Sequence, residues 1–161
     1  MPTTLTHDER LTKIARLRRF PDELERLVKH LSEAELYTAF IPGEWSVAQN
    51  VHHLPDSHMN AYVRTRLILT ADNPPLVGYN QAAWAELEDY KLPIEPSLQL
   101  LRNLHIRWCT LFDSLISSDF ARTGLHSEKG EVNLDDILVT YDNHCDAHIE
   151  QITRTLAAKN S

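Results

Sequence analysis

His144 and His148 stand four residues apart in the stretch Tyr141-Asp142-Asn143-His144-Cys145-Asp146-Ala147-His148. On a helix, that spacing puts both imidazoles on one face. They are then about 6 Å apart along the axis, close enough to converge on one ion. An H-x-x-x-H alone is a common coincidence in a chain with nine histidines, so its meaning depends on which way the helix faces. A second polar concentration, His52, His53, Asp56, His58 and Asn60, falls inside another segment of helical periodicity. A catalytic-type zinc site takes three protein ligands and leaves one position for water or substrate. Two helices carrying these histidines would supply the three.

The elements that must position them read as follows. Thr6 and Glu9 form a capping box, followed by Leu11, Ile14, Leu17 and Phe20 at helical spacing. Pro21 predicts a kink or break before Leu24, Leu27, Val28 and Leu31. Ser32 and Glu35 cap a short turn of helix. Ser46 and Gln49 cap a long helix reaching about Ala71, with Trp45 placed as a hydrophobic staple and Pro55 predicting a kink. Gln81 to Tyr90 reads as a short helix. A third long helix starts after Pro93, with Pro96 in its first turn and an apolar stripe from Leu98 to Leu115. Ser117 to Val132 is the longest irregular stretch, with a hairpin-like turn at Lys129-Gly130. Asn133 caps the last helix, Asp135 and Asp136 occupy its first turn, and Leu134, Ile137, Leu138, Tyr141 and Ile152 mark its buried face. The expected fold is all-α: one domain over residues 1–161, a four-helix bundle with short extra helices and one long irregular loop.

Continuing the stripe Leu134, Leu138, Tyr141 by helical steps brings His144, Cys145, His148 and Ile152 onto the core face. Polar groups on a core face need partners. A single buried histidine usually finds a carbonyl. For two in register, an ion that takes a lone pair from each is the economical solution. For the third ligand, phase puts His58 nearest the Val47, Val51, Leu54, Tyr62 stripe, with His53 and His52 to either side. Pro55 disturbs the phase, so spacing prefers His58 slightly and leaves the choice open.

The net charge of −7 argues against a nucleic-acid partner. The only basic run, Arg16 to Arg19, reads as a solvated helix face. Two cysteines, Cys109 and Cys145, make no disulfide framework and no CxxC pair. Cys145 is expected as a small buried thiol rather than a nucleophile. There is no apolar leader and no run of the roughly 20 apolar residues that span a bilayer. The expectation is a cytoplasmic protein with reduced thiols and no membrane partner.

Glu44-Trp45-Ser46-Val47 and His52-His53-x-x-Asp56-Ser57-His58-Met59-Asn60 resemble the YfiT-type branch of the DinB-like superfamily. The resemblance extends through Leu69-Thr70-x-Asp72-Asn73-Pro74, Trp84-Ala85-Glu86-Leu87, Ser97-Leu98-x-Leu100-Leu101, Leu104-His105-x-Arg107-Trp108 and Gly130-Glu131-Val132-x-Leu134-Asp135. It implies a four-helix bundle holding a divalent ion, nickel or zinc, on three histidines: His53, His144 and His148. It also places Asp56, His58 and Asn60 in or near the surroundings that orient those ligands. The chain departs from the family at Pro55, Asn143, Ala147 and Gln151, and these departures bear on the shape of the pocket. The branch includes bacillithiol-dependent S-transferases and members described as metal-dependent hydrolases. The implied partners are a small-molecule thiol and an electrophilic or hydrolysable substrate, with a homodimer expected. Three neutral imidazoles leave the full charge on the ion, which favours activating a thiol or a water. No H-E-x-x-H is present, so the metalloprotease route lacks its base. Thiol S-transfer is the preferred expectation, hydrolysis the second, and a non-catalytic metal-binding bundle the third. His105 and His126 are candidates to border the pocket or to serve as structural histidines. Arg64, Arg66 and Arg107 are candidates to receive an anionic cosubstrate or to lie on the surface.

Overall fold

The computed structural model describes residues 2–159. Four long helices dominate: α1 (His7–Val28), then after the short α2 (Glu33–Tyr37), α3 (Val47–Thr70), later α5 (Glu95–Asp113) and α7 (Leu134–Ala158). Between α3 and α5 lie β1 (Pro75–Leu76), α4 (Gln81–Trp84) and a 3-10 turn at Glu88–Lys91. Between α5 and α7 lie α6 (Ser117–Phe120), β2 (Thr123–His126) and β3 (Gly130–Asn133). Among the described residues, no helix is long and apolar enough to cross a membrane.

α1 packs against α5 and α7, and α3 packs against the same two. The ring therefore runs α1, α5, α3, α7, which puts α1 and α3 on opposite corners. Every long helix is a neighbour of two others, and all four contribute to one interior. Leu17, Phe20, Leu24, Leu54, Leu101, Trp108, Phe112 and Leu138 are fully buried there. Capping boxes start α1, α2, α3 and α7 at Thr6, Ser32, Ser46 and Asn133, as the sequence indicates.

Three sequence expectations change. α1 runs through Pro21 without a break, while α3 runs from Val47 to Thr70 with Pro55 inside it, as the single long helix the sequence indicates. An interior proline costs about 3 kcal/mol. Each fully buried Leu or Phe returns roughly 1.5–3 kcal/mol, and Leu17, Phe20 and Leu24 flank Pro21 on the buried face, so packing wins over the break. The stretch Ser117 to Val132, expected as irregular, is ordered as α6 and a hairpin. β2 pairs antiparallel with β3, from Thr123 with Asn133 to His126 with Gly130, and β1 joins β2 in parallel. The expected turn is there: Gly130 takes φ of +75°, the left-handed geometry that glycine enters without a steric cost. Gly124 is required by close approach, since a Cβ there would lie 2.8 Å from the Leu76 side chain. Both strands are too short and too mixed in pattern to read as strands from periodicity alone. The helix expected over Gln81 to Tyr90 divides into α4 and the 3-10 turn.

The start of α7 is tied to α1 by a buried ion pair. Arg10 donates from Nε and Nη2 to the two oxygens of Asp135 at 2.7 and 2.8 Å, with side-chain exposures of 11% and 2%. The Leu5 amide also donates to Asp135. Removing one partner of such a pair strands a buried charge. Asp135→Ala is expected to lower stability by about 3–5 kcal/mol, measured by denaturant unfolding. A loss under 1 kcal/mol would show that the pair does not hold α1 to α7.

Candidate metal centre

His53 comes from α3, and His144 and His148 from α7. The two helices are neighbours in the ring, and the three rings meet between them. The Nε2 atoms converge: His53 to His144 at 3.3 Å, and His148 to His144 at 3.1 Å. With metal–nitrogen bonds of about 2.0–2.1 Å, two ligands of a tetrahedral ion stand about 3.3 Å apart, and adjacent ligands of an octahedral ion about 2.9 Å apart. The observed spacing falls within that range, so the donor set fits a divalent ion. Phase preferred His58 as the third member. The structure brings His53 there instead.

Two neighbours orient the rings. His148 Nδ1 lies 2.7 Å from Asn50 Oδ1, and the Asn50 amide nitrogen donates to the Ser46 carbonyl at 2.9 Å. With its NH2 committed to Ser46, Asn50 presents only its oxygen to His148. His148 therefore holds its proton on Nδ1 and offers an Nε2 lone pair. His144 Nδ1 contacts His58 Nε2 at 3.1 Å. His53 Nδ1 is buried with no protein hydrogen-bond partner among the described residues, and the Trp45 ring packs against this histidine with centroids 4.9 Å apart. Trp45 is thus not a staple for α3: the residue it would clamp is the polar Asn50. Its ring instead covers a site histidine. Asn50 was missed in the sequence, although its phase with Val47 and Leu54 puts an amide on the core face, and that is a usable signal.

Electrostatics keep these rings neutral. Burial pushes His53 down to about 3, His144 to about 2 and His148 to about 4, with the neighbouring His148 acting further against charge on His53 and His144. Burial likewise drives His105 to about 4 and His58 well below its ordinary value. Among the described residues, no carboxylate hydrogen-bonds to any of the five. Neutral imidazole is the form that binds metal.

The cluster opens to a cleft of about 450 Å³ bounded by His144, Ser57, Tyr141, Tyr79, Arg64 and Lys129. Ser57 Oγ lies 3.5 Å from His144 Nε2 and 3.4 Å from the Tyr141 hydroxyl. Tyr141 donates to the Ser57 carbonyl at 3.0 Å, and burial holds its hydroxyl protonated. Arg64 donates to the Val77 carbonyl, which fixes its guanidinium on the cleft wall. His126, on β2, lines the same wall.

The other candidates fall elsewhere. Asp56 accepts from the Tyr90 hydroxyl at 2.7 Å, and Asn60 donates to the Asp56 carbonyl. Neither is bonded to the three rings. His52 bridges to Ser97 and the Leu92 carbonyl, outside the cluster. His105 is buried in the core beside His58. Arg66 and Arg107 flank the Tyr62 ring, away from the cleft. Cys145 is wholly buried and its thiol is pushed far up by burial, so it is no nucleophile. Asn143 and Ala147 are exposed, whereas Pro55 is buried.

A helical bundle with three convergent imidazoles at the head of a cleft defines a class of metal-site proteins. The chain belongs to the DinB superfamily, whose model matches residues 16–152. It is 41% identical over 143 residues to a protein of Oceanobacillus iheyensis named "Putative metal-dependent hydrolase", covering 86% of this chain and 83% of that one. Its fold matches YfiT from Bacillus subtilis with a TM-score of 0.94 and 34% identity, over 99% of this chain and 93% of the other; YfiT is described as a probable metal-dependent hydrolase with an unusual four-helix bundle topology. The mycothiol-dependent maleylpyruvate isomerase shares the fold, with a TM-score of 0.68 at 16% identity over 98% of this chain and 71% of that one.

The histidine cluster makes the metal-free protein sensitive to acid. An unfolded histidine titrates near 6.5, whereas the buried ones titrate far lower. Between these values the unfolded chain binds protons that the folded chain refuses. Stability is therefore complete above about pH 6.5 and falls as the pH drops toward 4, by up to about 1.4 kcal/mol per pH unit for each histidine. Denaturant midpoints of metal-free protein at pH 7.5 and pH 5 measure this. Equal midpoints would contradict neutral burial.

Proposed function

We propose that this protein is a metal-dependent enzyme in which His53, His144 and His148 hold a divalent nickel or zinc ion, and in which a low-molecular-weight thiol is transferred to an electrophilic small molecule. The observation that carries the reading is the convergence of His53 Nε2 and His148 Nε2 on His144 Nε2, at 3.3 and 3.1 Å, with, among the described residues, no carboxylate hydrogen-bonded to the three rings. An ion on three neutral imidazoles keeps its full charge and lowers the pKa of a thiol or water that joins it.

The chain's own residues do the rest. Asn50 and His58 orient His148 and His144. Trp45 packs its ring against His53. Ser57 stands beside His144 Nε2 and offers a hydroxyl to a substrate at the head of the cleft. Tyr141 stays protonated and keeps the Ser57 backbone in place. Thiol transfer suits this set because it needs no protein carboxylate as a general base next to the ion. Arg64 and Lys129 line the cleft with Glu128, so its wall keeps one positive charge in excess in a chain of net charge −7, which favours a thiol bearing a carboxylate.

Hydrolysis is the second reading, favoured by the names of the relatives. It would use the same ion and the same open position.

His53→Ala, His144→Ala and His148→Ala each are expected to abolish stoichiometric metal binding, read by elemental analysis of untagged protein, and to reduce turnover at least about 100-fold. Full activity in all three variants would sink the metal reading. Parallel assays of thiol conjugation and ester hydrolysis decide between the two reactions. Arg64→Ala is expected to raise KM for a carboxylated thiol while leaving a neutral thiol unchanged. An equal effect on both would remove the anion-binding role.

A further inference from the structure

Pro21 sits inside α1. The amide hydrogen it lacks is the one that would bond the carbonyl four residues earlier, on Leu17, and its ring crowds that carbonyl outward. The Leu17 carbonyl is not left idle. His105 Nδ1 lies 2.6 Å from it. The other nitrogen of His105, Nε2, lies 2.7 Å from His58 Nδ1. His58 Nε2 in turn lies 3.1 Å from His144 Nδ1.

Only one assignment of protons satisfies these contacts with neutral rings. A carbonyl accepts and never donates, so His105 carries its proton on Nδ1. Its Nε2 then accepts, which requires His58 to donate from Nδ1. His58 Nε2 accepts next, which requires His144 to donate from Nδ1. That leaves His144 Nε2 as a bare lone pair, and it faces His53 and His148 at 3.3 and 3.1 Å. The contacts pass from α1 to α5 to α3 to α7, each step crossing between neighbours of the ring. His58 and His105 are also stacked, with centroids 4.9 Å apart and planes at 22°, and Phe20 stacks on His58. The rings therefore cannot turn over without breaking the core.

We propose that Pro21, His105 and His58 are positioning residues. Together they form a relay, anchored on the Leu17 carbonyl, that locks His144 in the Nδ1–H tautomer and so presents its Nε2 lone pair to the ion. The inference rests on the three-histidine metal reading and goes beyond it, because it assigns work to a helix, α1, that supplies no ligand. The relay is static. It ends on a carbonyl in the core, which can neither release nor take up a proton, so it fixes a tautomer and does not carry protons to solvent.

The test uses full-length protein stripped of metal. Imidazole nitrogen NMR on isotope-labelled protein is expected to show His105, His58 and His144 all protonated on Nδ1 and bare on Nε2. His105→Phe removes the acceptor for His58. The tautomers of His58 and His144 are then expected to mix, and affinity for added zinc or nickel, measured by competition with a chelating dye, to fall about 10- to 100-fold. His105→Gln restores the relay, since the amide oxygen accepts from His58 and the amide NH2 donates to Leu17. Its affinity is expected to return to within a few-fold of the parent. Pro21→Ala gives the Leu17 carbonyl a helical amide to compete with His105. It is expected to raise the thermal midpoint while lowering metal affinity several-fold, a pairing of signs that a purely structural role would not produce. If His105→Phe fails to fold, the Gln and Pro21 variants still decide. Protonation of His144 on Nε2 in the metal-free parent, or parental affinity in both His105→Phe and Pro21→Ala, overturns the relay. A parent that shows the expected tautomers yet binds neither ion leaves the hydrogen-bonded chain standing and overturns its proposed purpose together with the metal reading.

Discussion

Five imidazoles, four buried and His144 half-buried, meet inside one small bundle, and among the described residues no carboxylate is hydrogen-bonded to any of them. Burying an unpaired polar group costs on the order of 1–3 kcal/mol, and burying an unpaired charge costs more. A buried nitrogen is therefore matched by direction as well as by distance, and neutral rings can be matched only if the tautomers agree; His53 Nδ1, buried with no protein hydrogen-bond partner among the described residues, is the exception. This constraint explains features that otherwise look unrelated. Asn50 is an amide in a row of valines and leucines because His148 needs an acceptor. Ser46 caps α3 with its side chain while its carbonyl takes the Asn50 amide. The Leu17 carbonyl is free of its helical partner at the point where His105 requires one.

The order of helices around the ring serves the same end. With α1 and α3 at opposite corners, α3 borders both α5 and α7. His58 on α3 can then touch His105 on one side and His144 on the other, while His53, one and a half turns earlier, reaches the pair on α7. In a bundle where successive long helices are neighbours, α1 would stand beside α3, and one of those contacts would be lost. The connections that produce this order are long, and they carry the sheet and the short helices. The cleft wall is built from these connecting segments, through Tyr79, His126 and Lys129. Rigid helices hold the rings, and loops shape the space in front of them. That division lets substrate preference change without disturbing the centre.

The fold was largely legible. Capping boxes at Thr6, Ser32 and Ser46 and the Asn133 cap mark helix starts, because a side chain that satisfies a free amide leaves a short local pattern. The strands were not, because Thr123–His126 and Gly130–Asn133 are each four residues long and are stabilised by one another and by β1 rather than by an alternating pattern. At the site, the core-facing phase of His144 and His148 was readable from the stripe of Leu134, Leu138 and Tyr141. The choice of His53 over His58 was not readable from phase. Both project inward from α3, and what separates them is which neighbour each meets: α7 alone for His53, α5 and α7 together for His58. Phase carries no information on that. Family resemblance pointed to His53, and the structure brings its Nε2 together with the α7 pair.

Pro21 shows how a local rule fails usefully. Read from the sequence alone, proline in a helical pattern means a kink or a break, because one hydrogen bond is lost and one carbonyl is crowded. Both statements are true of α1, and the helix still continues. The lost bond is not lost from the molecule: the carbonyl it exposes is taken by His105, whose ring nitrogen makes a 2.6 Å contact in place of the missing amide. The cost of the proline is thereby reduced below its value in an isolated helix, and the direction of a buried hydrogen-bond chain is set by an acceptor that cannot reverse. A hydroxyl or an amide in the same place could donate as well as accept, and the tautomer of every ring beyond it would become ambiguous. Only a group that accepts and never donates gives the chain a sense. A backbone carbonyl released from its helix is such a group, and it is one the core can supply without burying a charge.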